Sequence, residues 1–77
     1  GALPNPDYKA NVTGKVIIDV TVDAAGRVTS AEFHAQGSTT SNATLVEAAK
    51  RAAMKARFTE SASFVQGGMI TYVFKMN

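Results

Sequence analysis

Few side chains in this 77-residue chain could do chemistry, and their spacing argues against most of what they might do. His34 is the single histidine and there is no cysteine. A metal site needs several convergent donors, and a nucleophilic relay needs a base within reach of a hydroxyl. No close pair of carboxylates accompanies His34, so it reads as a surface histidine. Asp19 and Asp23 lie four apart, which suits a solvent-facing strand residue and a turn former better than an acid and base pair. The run Ser38 to Ser41 has hydroxyls but no neighbouring base, and its composition is that of a loop. Gly67-Gly68 lacks the G-x-G-x-x-G spacing and precedes a strand rather than a helix, so it reads as flexibility at a strand entrance, not a phosphate cradle. Asn11-Val12-Thr13 and Asn42-Ala43-Thr44 match the glycosylation tripeptide, a pattern too short to carry weight. No acid, base and nucleophile converge, so the sequence points away from an enzyme and implies no cofactor and no metal.

Composition bounds what remains. A chain this short holds one domain with a thin core, room for one helix on one small sheet. A formal charge of +2, from 8 basic and 6 acidic residues, is too slight for the concentrated basic face that nucleic acid requires. No run approaches the length of a membrane span and nothing at the start resembles a signal peptide. Residues 1–13 carry both prolines and no periodicity, which predicts an extended lead-in or linker remnant in which Leu3 and Tyr8 pack loosely. The domain proper is expected over residues 14–77, cut from a longer protein.

Hydrophobic periodicity supplies the elements. Val16, Ile18, Val20 and Val22 alternate with Asp19 and Thr21, predicting a strand over Lys15–Val22 with one face buried. Asp23-Ala24-Ala25-Gly26 fits a type I turn ending in a glycine at positive φ. The second strand is expected over Arg27–His34. Val28 and Phe33 both look like core residues, yet their odd separation puts them on opposite faces of a regular strand, so a bulge near Thr29-Ser30 is predicted. Gln36–Asn42 is a polar loop ending in an Asn suited to cap a helix, with Thr44 and Glu47 offering a competing capping box. The helix should run from Ala43 to Ala56, burying Leu45, Ala48, Ala49, Ala52 and Ala56, with Glu47 and Arg51 paired on its outer face. Lys50, Arg51, Lys55 and Arg57 gather near its C-terminal end as a solvated basic face. Phe58 should close the core, and Thr59–Gln66 should connect to a last strand, Met69–Met76. There Ile70, Tyr72, Phe74 and Met76 face the helix while Met69, Thr71, Val73 and Lys75 face away. The expected fold is α+β, a ββαβ two-layer domain whose three-stranded antiparallel sheet has the order 2-1-3, with one helix on one face. The last strand is then an edge with a row of unpaired backbone groups.

Three blocks taken in order, GKVIIDVTVDAAGRV, the GSTTSN loop leading into LVEAAKRAAMKARF, and QGGMITYVFKM, resemble the C-terminal domain of TonB-type energy transducers, in the short form found in Bacteroidetes-like cell envelopes. The likeness spans residues 14 to 77. It departs from many members at Pro6-Asp7-Tyr8, where they carry Tyr-Pro, and at Phe58-Thr59-Glu60, where they carry a proline. The resemblance implies a periplasmic domain, tethered through an upstream segment to an inner-membrane helix and an ExbB-ExbD-like motor. It implies that the domain grips the Ton box peptide of an outer-membrane transporter by strand addition beside the last strand, at Gly68, Met69, Ile70, Thr71, Tyr72, Val73, Phe74 and Lys75. Two other classes compete. The same edge could pair with itself and make the domain an oligomerisation module of the cell envelope, a weak homodimer. A single-strand nucleic-acid binder would need Phe33, Tyr72 and Phe74 as stacking platforms, but their predicted place is under the helix.

Overall fold

The computed structural model describes residues 13–58 and 66–75. The proposals for residues 1–12, for the 59–65 connection and for Met76 lie outside the described residues. Within them the chain order is β1 (Gly14–Val22), β2 (Val28–His34), α1 (Ala43–Met54) and β3 (Gln66–Phe74). The sheet order is β2-β1-β3 with both pairings antiparallel, the expected α+β arrangement. β1 is central because it is the most apolar run: Val16, Ile18, Val20 and Val22 are all buried on the helix side.

The turn between β1 and β2 is built by Asp23. Its Oδ1 accepts from the amides of Ala25 and Arg27 at 3.0 and 2.9 Å, its carbonyl accepts from Gly26 N–H at 3.0 Å, and Gly26 takes a φ of +86°. This is the type I turn closed by a left-handed glycine that the sequence called for. The Arg27 amide is the main reason the Asp23 carboxyl sits below its ordinary 3.8, with the Ala25 amide and the Arg27 guanidinium at 3.4 Å adding to it. Because the folded carboxyl releases its proton more readily than the unfolded one, its contribution to stability is present above pH 3.8 and fades as pH falls below that value. Asp23→Asn keeps an acceptor oxygen but not the charge. In urea titrations its deficit relative to the parent should be visible at neutral pH and shrink in acid, while a deficit independent of pH would contradict the carboxylate's role.

The predicted bulge forms at Thr29. Thr21 pairs with Ser30 while Val22 pairs with Val28, leaving Thr29 without an opposite residue. Its hydroxyl donates to the Thr21 carbonyl at 3.3 Å. The extra residue turns Val28, Ala31 and Phe33 to the helix side, with Val28 and Ala31 buried and Phe33 packed against the core.

Helix α1 starts where Asn42 Oδ1 accepts from the amides of Thr44 and Leu45 at 3.0 and 3.3 Å. Asn42 is the cap, so the Thr44 and Glu47 box is not used. The helix buries Leu45, Ala48, Ala49, Ala52 and Ala53, and it lies over β2 and β1 more than over β3. The small alanines permit this close approach. The helix ends at Met54, two residues short of expectation, yet Ala56 is still buried. On the outer face Glu47 lies 4.0 Å from Lys50 rather than pairing with Arg51, an exposed ion pair of little energetic weight.

Phe58 does not close the core. It is 37% exposed, because the chain leaves the helix along the hairpin turn: Arg57 forms a bridge with Arg27, and Phe58 N–H donates to the Gly26 carbonyl at 2.8 Å. Ala56, two residues earlier, is buried instead. Arg27 accordingly belongs to this bridge and not to β2. The other end of the crossover is held by the polar loop. Ser38 Oγ donates to the His34 carbonyl at 2.7 Å and accepts from Ile17 N–H at 2.9 Å, while Lys15 and Thr39 exchange two hydrogen bonds of 2.8 Å. The hydroxyl run that could have held a nucleophile thus continues the β2 ladder toward the start of β1.

Candidate functional site: the outer edge of β3

The loop bonds to Lys15 and Ile17 fix which way each backbone group of the sheet points. They place the amides of odd-numbered β1 residues toward β2, as does the Thr21 carbonyl. Backbone groups alternate along a strand, so the even-numbered residues of β1 face β3. In the β1·β3 register those even residues are Gly14, Val16, Ile18, Val20 and Val22, opposite Phe74, Tyr72, Ile70, Gly68 and Gln66. The backbones of Gly67, Met69, Thr71 and Val73 therefore point away from β1, to a side where no described strand pairs with β3.

This divides the eight residues singled out from the sequence. Gly68, Ile70, Tyr72 and Phe74 aim their backbones inward at β1, and Ile70, Tyr72 and Phe74 bury their side chains under the helix layer. Met69, Thr71 and Val73 present both backbone and side chain to the outside, with Met69 and Val73 exposed by 59% and 60%. Lys75 follows the strand and is exposed. The strand also begins earlier than expected. Gln66, Gly67 and Gly68 pair with Val22, Thr21 and Val20, so the glycine pair is part of the ladder rather than a hinge before it. The signal that could have shown this is the length of β1, whose unbroken apolar alternation offers a partner out to Val22.

The side-chain surface of the edge differs on its two faces. On the open face Val73 stands opposite Lys15, Thr71 opposite Ile17, and Met69 opposite Asp19, which on its other side faces Glu32 of β2. His34 ends β2 beside Ile17. The described residues hold no group of three or more potential metal-ligating side chains. On the helix face the edge residue Tyr72 has its hydroxyl buried with no hydrogen-bond partner, and burial raises its phenol above the ordinary 10.0. No described helix is long and apolar enough to cross a membrane. Compared with models of known protein families, with curated proteins and with solved structures, the chain finds no match.

Proposed function

We propose that this domain is a peptide-gripping module, the periplasmic end of a TonB-type energy transducer. An extended N-terminal peptide of an outer-membrane transporter adds as a fourth strand at the outer edge of β3. The observation that carries this reading is the outward backbone of Met69, Thr71 and Val73 on an edge strand whose inner side is fully paired. The resemblance of the chain's three sequence blocks to that family supplies the partner and the compartment. Strand addition suits a load-bearing contact, because several main-chain hydrogen bonds share a pull along the strand while alternate side chains test the peptide's identity. No bond is made or broken, so no catalytic group or cofactor is needed. The upstream chain would connect the grip to an ExbB-ExbD-like motor at the inner membrane. Affinity is modest, since each hydrogen bond returns only about 0.5–1.5 kcal/mol and the peptide must be ordered to make them. Modest affinity permits release on each cycle.

Thr71→Pro tests the edge directly. Proline removes a donor that points outward and is tolerated on an edge strand, so the domain should remain folded while transporter peptides bind roughly five- to tenfold more weakly, as one lost hydrogen bond would give. Ile70→Pro, whose donor faces β1, should instead unfold the sheet. Folded Thr71→Pro protein that binds peptides as tightly as the parent would place docking elsewhere.

A second reading is favoured by one feature. The outward set Met69, Thr71 and Val73 is symmetric about Thr71, so two copies can pair antiparallel with Met69 of one opposite Val73 of the other. Such a module would serve as a structural or oligomerisation element of the cell envelope. Sedimentation over a concentration series separates the two, since a peptide grip requires a mainly monomeric domain.

A further inference from the structure

Gly67 stands in a regular stretch of ladder that has no need of a glycine. It pairs with Thr21 of β1, and among the described glycines only Gly14, Gly26 and Gly37 take a positive φ. Its chain neighbours aside, a Cβ built on Gly67 would come no closer to any atom than 4.0 Å, from the carbonyl oxygen of Val20. The register between β1 and β3 runs unbroken past it, so no bulge accounts for it either. Glycine weakens a strand and brings no side chain to pack. A strand glycine that neither conformation, crowding nor a bulge explains marks a place where a ligand approaches the backbone.

The surroundings of Gly67 name the kind of ligand. Gly67 is exposed, and its backbone points to the outer edge of β3, where no described strand lies. A strand added there sets one residue opposite Gly67, and that residue's side chain falls on the open face of the sheet, beside the space that Gly67 leaves empty. Two residues along on the same face is Met69, 59% exposed, and across the strand pair is Thr21. Bare backbone is thus flanked by an exposed thioether, a group that packs well against aromatic rings. An aromatic side chain lying over an edge glycine restores the packing that the glycine lacks. Building on the reading of β3 as the peptide edge, we infer that Gly67 and Met69 form a subsite for an aromatic side chain on the peptide residue that docks opposite Gly67. The free domain gives up strand stability at this point, and the matching peptide makes it good. A peptide with a small residue there leaves the gap unfilled and binds less well.

The test is a cycle of Gly67→Val against single peptide replacements. Synthetic N-terminal peptides of outer-membrane transporters are titrated into the folded domain, and each position of a binding peptide is made in turn phenylalanine and alanine. At one position the unmodified domain should prefer phenylalanine by about tenfold, the worth of a partly buried ring. Valine suits a strand and fills the gap, so the Gly67→Val domain should unfold at a higher urea concentration than the parent. It should nevertheless bind the phenylalanine peptide about tenfold more weakly, no better than the alanine one. Gly68→Ala adds its Cβ on the helix face, near Val20, and should leave the preference intact. In the unmodified domain the Gly67 Hα and Met69 methyl resonances should move upfield under the ring current of the phenylalanine peptide and stay in place with the alanine one. If peptides bind with shifts along β3 but the unmodified and Gly67→Val domains rank them alike, the subsite is wrong and the edge reading stands. If β3 amides do not respond to any peptide, the edge reading itself fails and the subsite falls with it.

Discussion

Phe74→Ala should destabilise the domain by roughly 3 to 5 kcal/mol, the usual cost of removing a fully buried phenyl group. A chain of this length has only about 4 to 12 kcal/mol of stability in total, so the variant should be largely unfolded or close to it. Among the described residues Phe74 is the largest fully buried side chain, and its partner across the strand pair is Gly14, which contributes no side chain to fill the space the ring would vacate. Ile18, Leu45, Val16 and Val20 are the other large residues sealed in the same layer. Urea denaturation followed by circular dichroism measures the loss. An unchanged midpoint would mean that the buried face of β3 carries Met69 and Val73 instead.

The second large effect is expected at Gly26. A Cβ there would overlap the carbonyl oxygen of Phe58, and the φ of +86° disfavours any L side chain. Gly26→Ala should cost roughly 2 to 3 kcal/mol, combining about 1–2 for the left-handed backbone with the loss of the Phe58 to Gly26 hydrogen bond. The overlap is with backbone, so no rotamer change relieves it, and the short bridge between Arg27 and Arg57 must open. Asn tolerates positive φ but also has a Cβ. Gly26→Asn should therefore recover only the conformational part of the loss, and full recovery would show that the close approach of Phe58 is unimportant.

The two variants mark what could and could not be read from the chain. Local patterns were legible: alternation gave β1 and the faces of β3, the odd spacing of Val28 and Phe33 gave the bulge, and Asn42 gave the start of the helix. Each depends on neighbours within a few residues, where sterics and hydrogen bonding act through the sequence itself. The places that differed depend on distant partners. Phe58 looked like a core residue by type, but its backbone is captured by Gly26, more than thirty positions earlier, and its side chain is left partly exposed. Gly67 and Gly68 look like a hinge until the length of β1 recruits them as ladder partners. The hydroxyls of Ser38 and Thr39 gave no sign that they would extend the β2 ladder to Ile17 and Lys15. For the candidate site, the edge position of the last strand was legible from the order of elements. The outward set of Met69, Thr71 and Val73 needed the register, and the lone hydroxyl of Tyr72 needed the packing around it.

The two straps bear on how the domain would carry a load. The crossover from β2 to β3 is tied to the sheet at its start by the Ser38 and Thr39 bonds and after the helix by the Arg57 and Phe58 bridge. On the proposed reading, a peptide held at β3 would pull against the central strand, and through it against a hairpin fastened to both ends of the crossover. Local opening of the edge would then be resisted by the whole sheet rather than by β3 alone.

Whether the outer edge of β3 receives an extended peptide is decided by amide chemical-shift mapping. With ¹⁵N-labelled domain and unlabelled N-terminal transporter peptides, docking at this edge should give the largest shifts at Met69, Thr71 and Val73, whose amides point outward, with smaller ones at Ile70 and Tyr72. Amide exchange with solvent should slow at the same three outward positions as peptide is added. Shifts concentrated at the basic end of the helix, around Lys50, Arg51 and Lys55, with β3 unmoved, would contradict it.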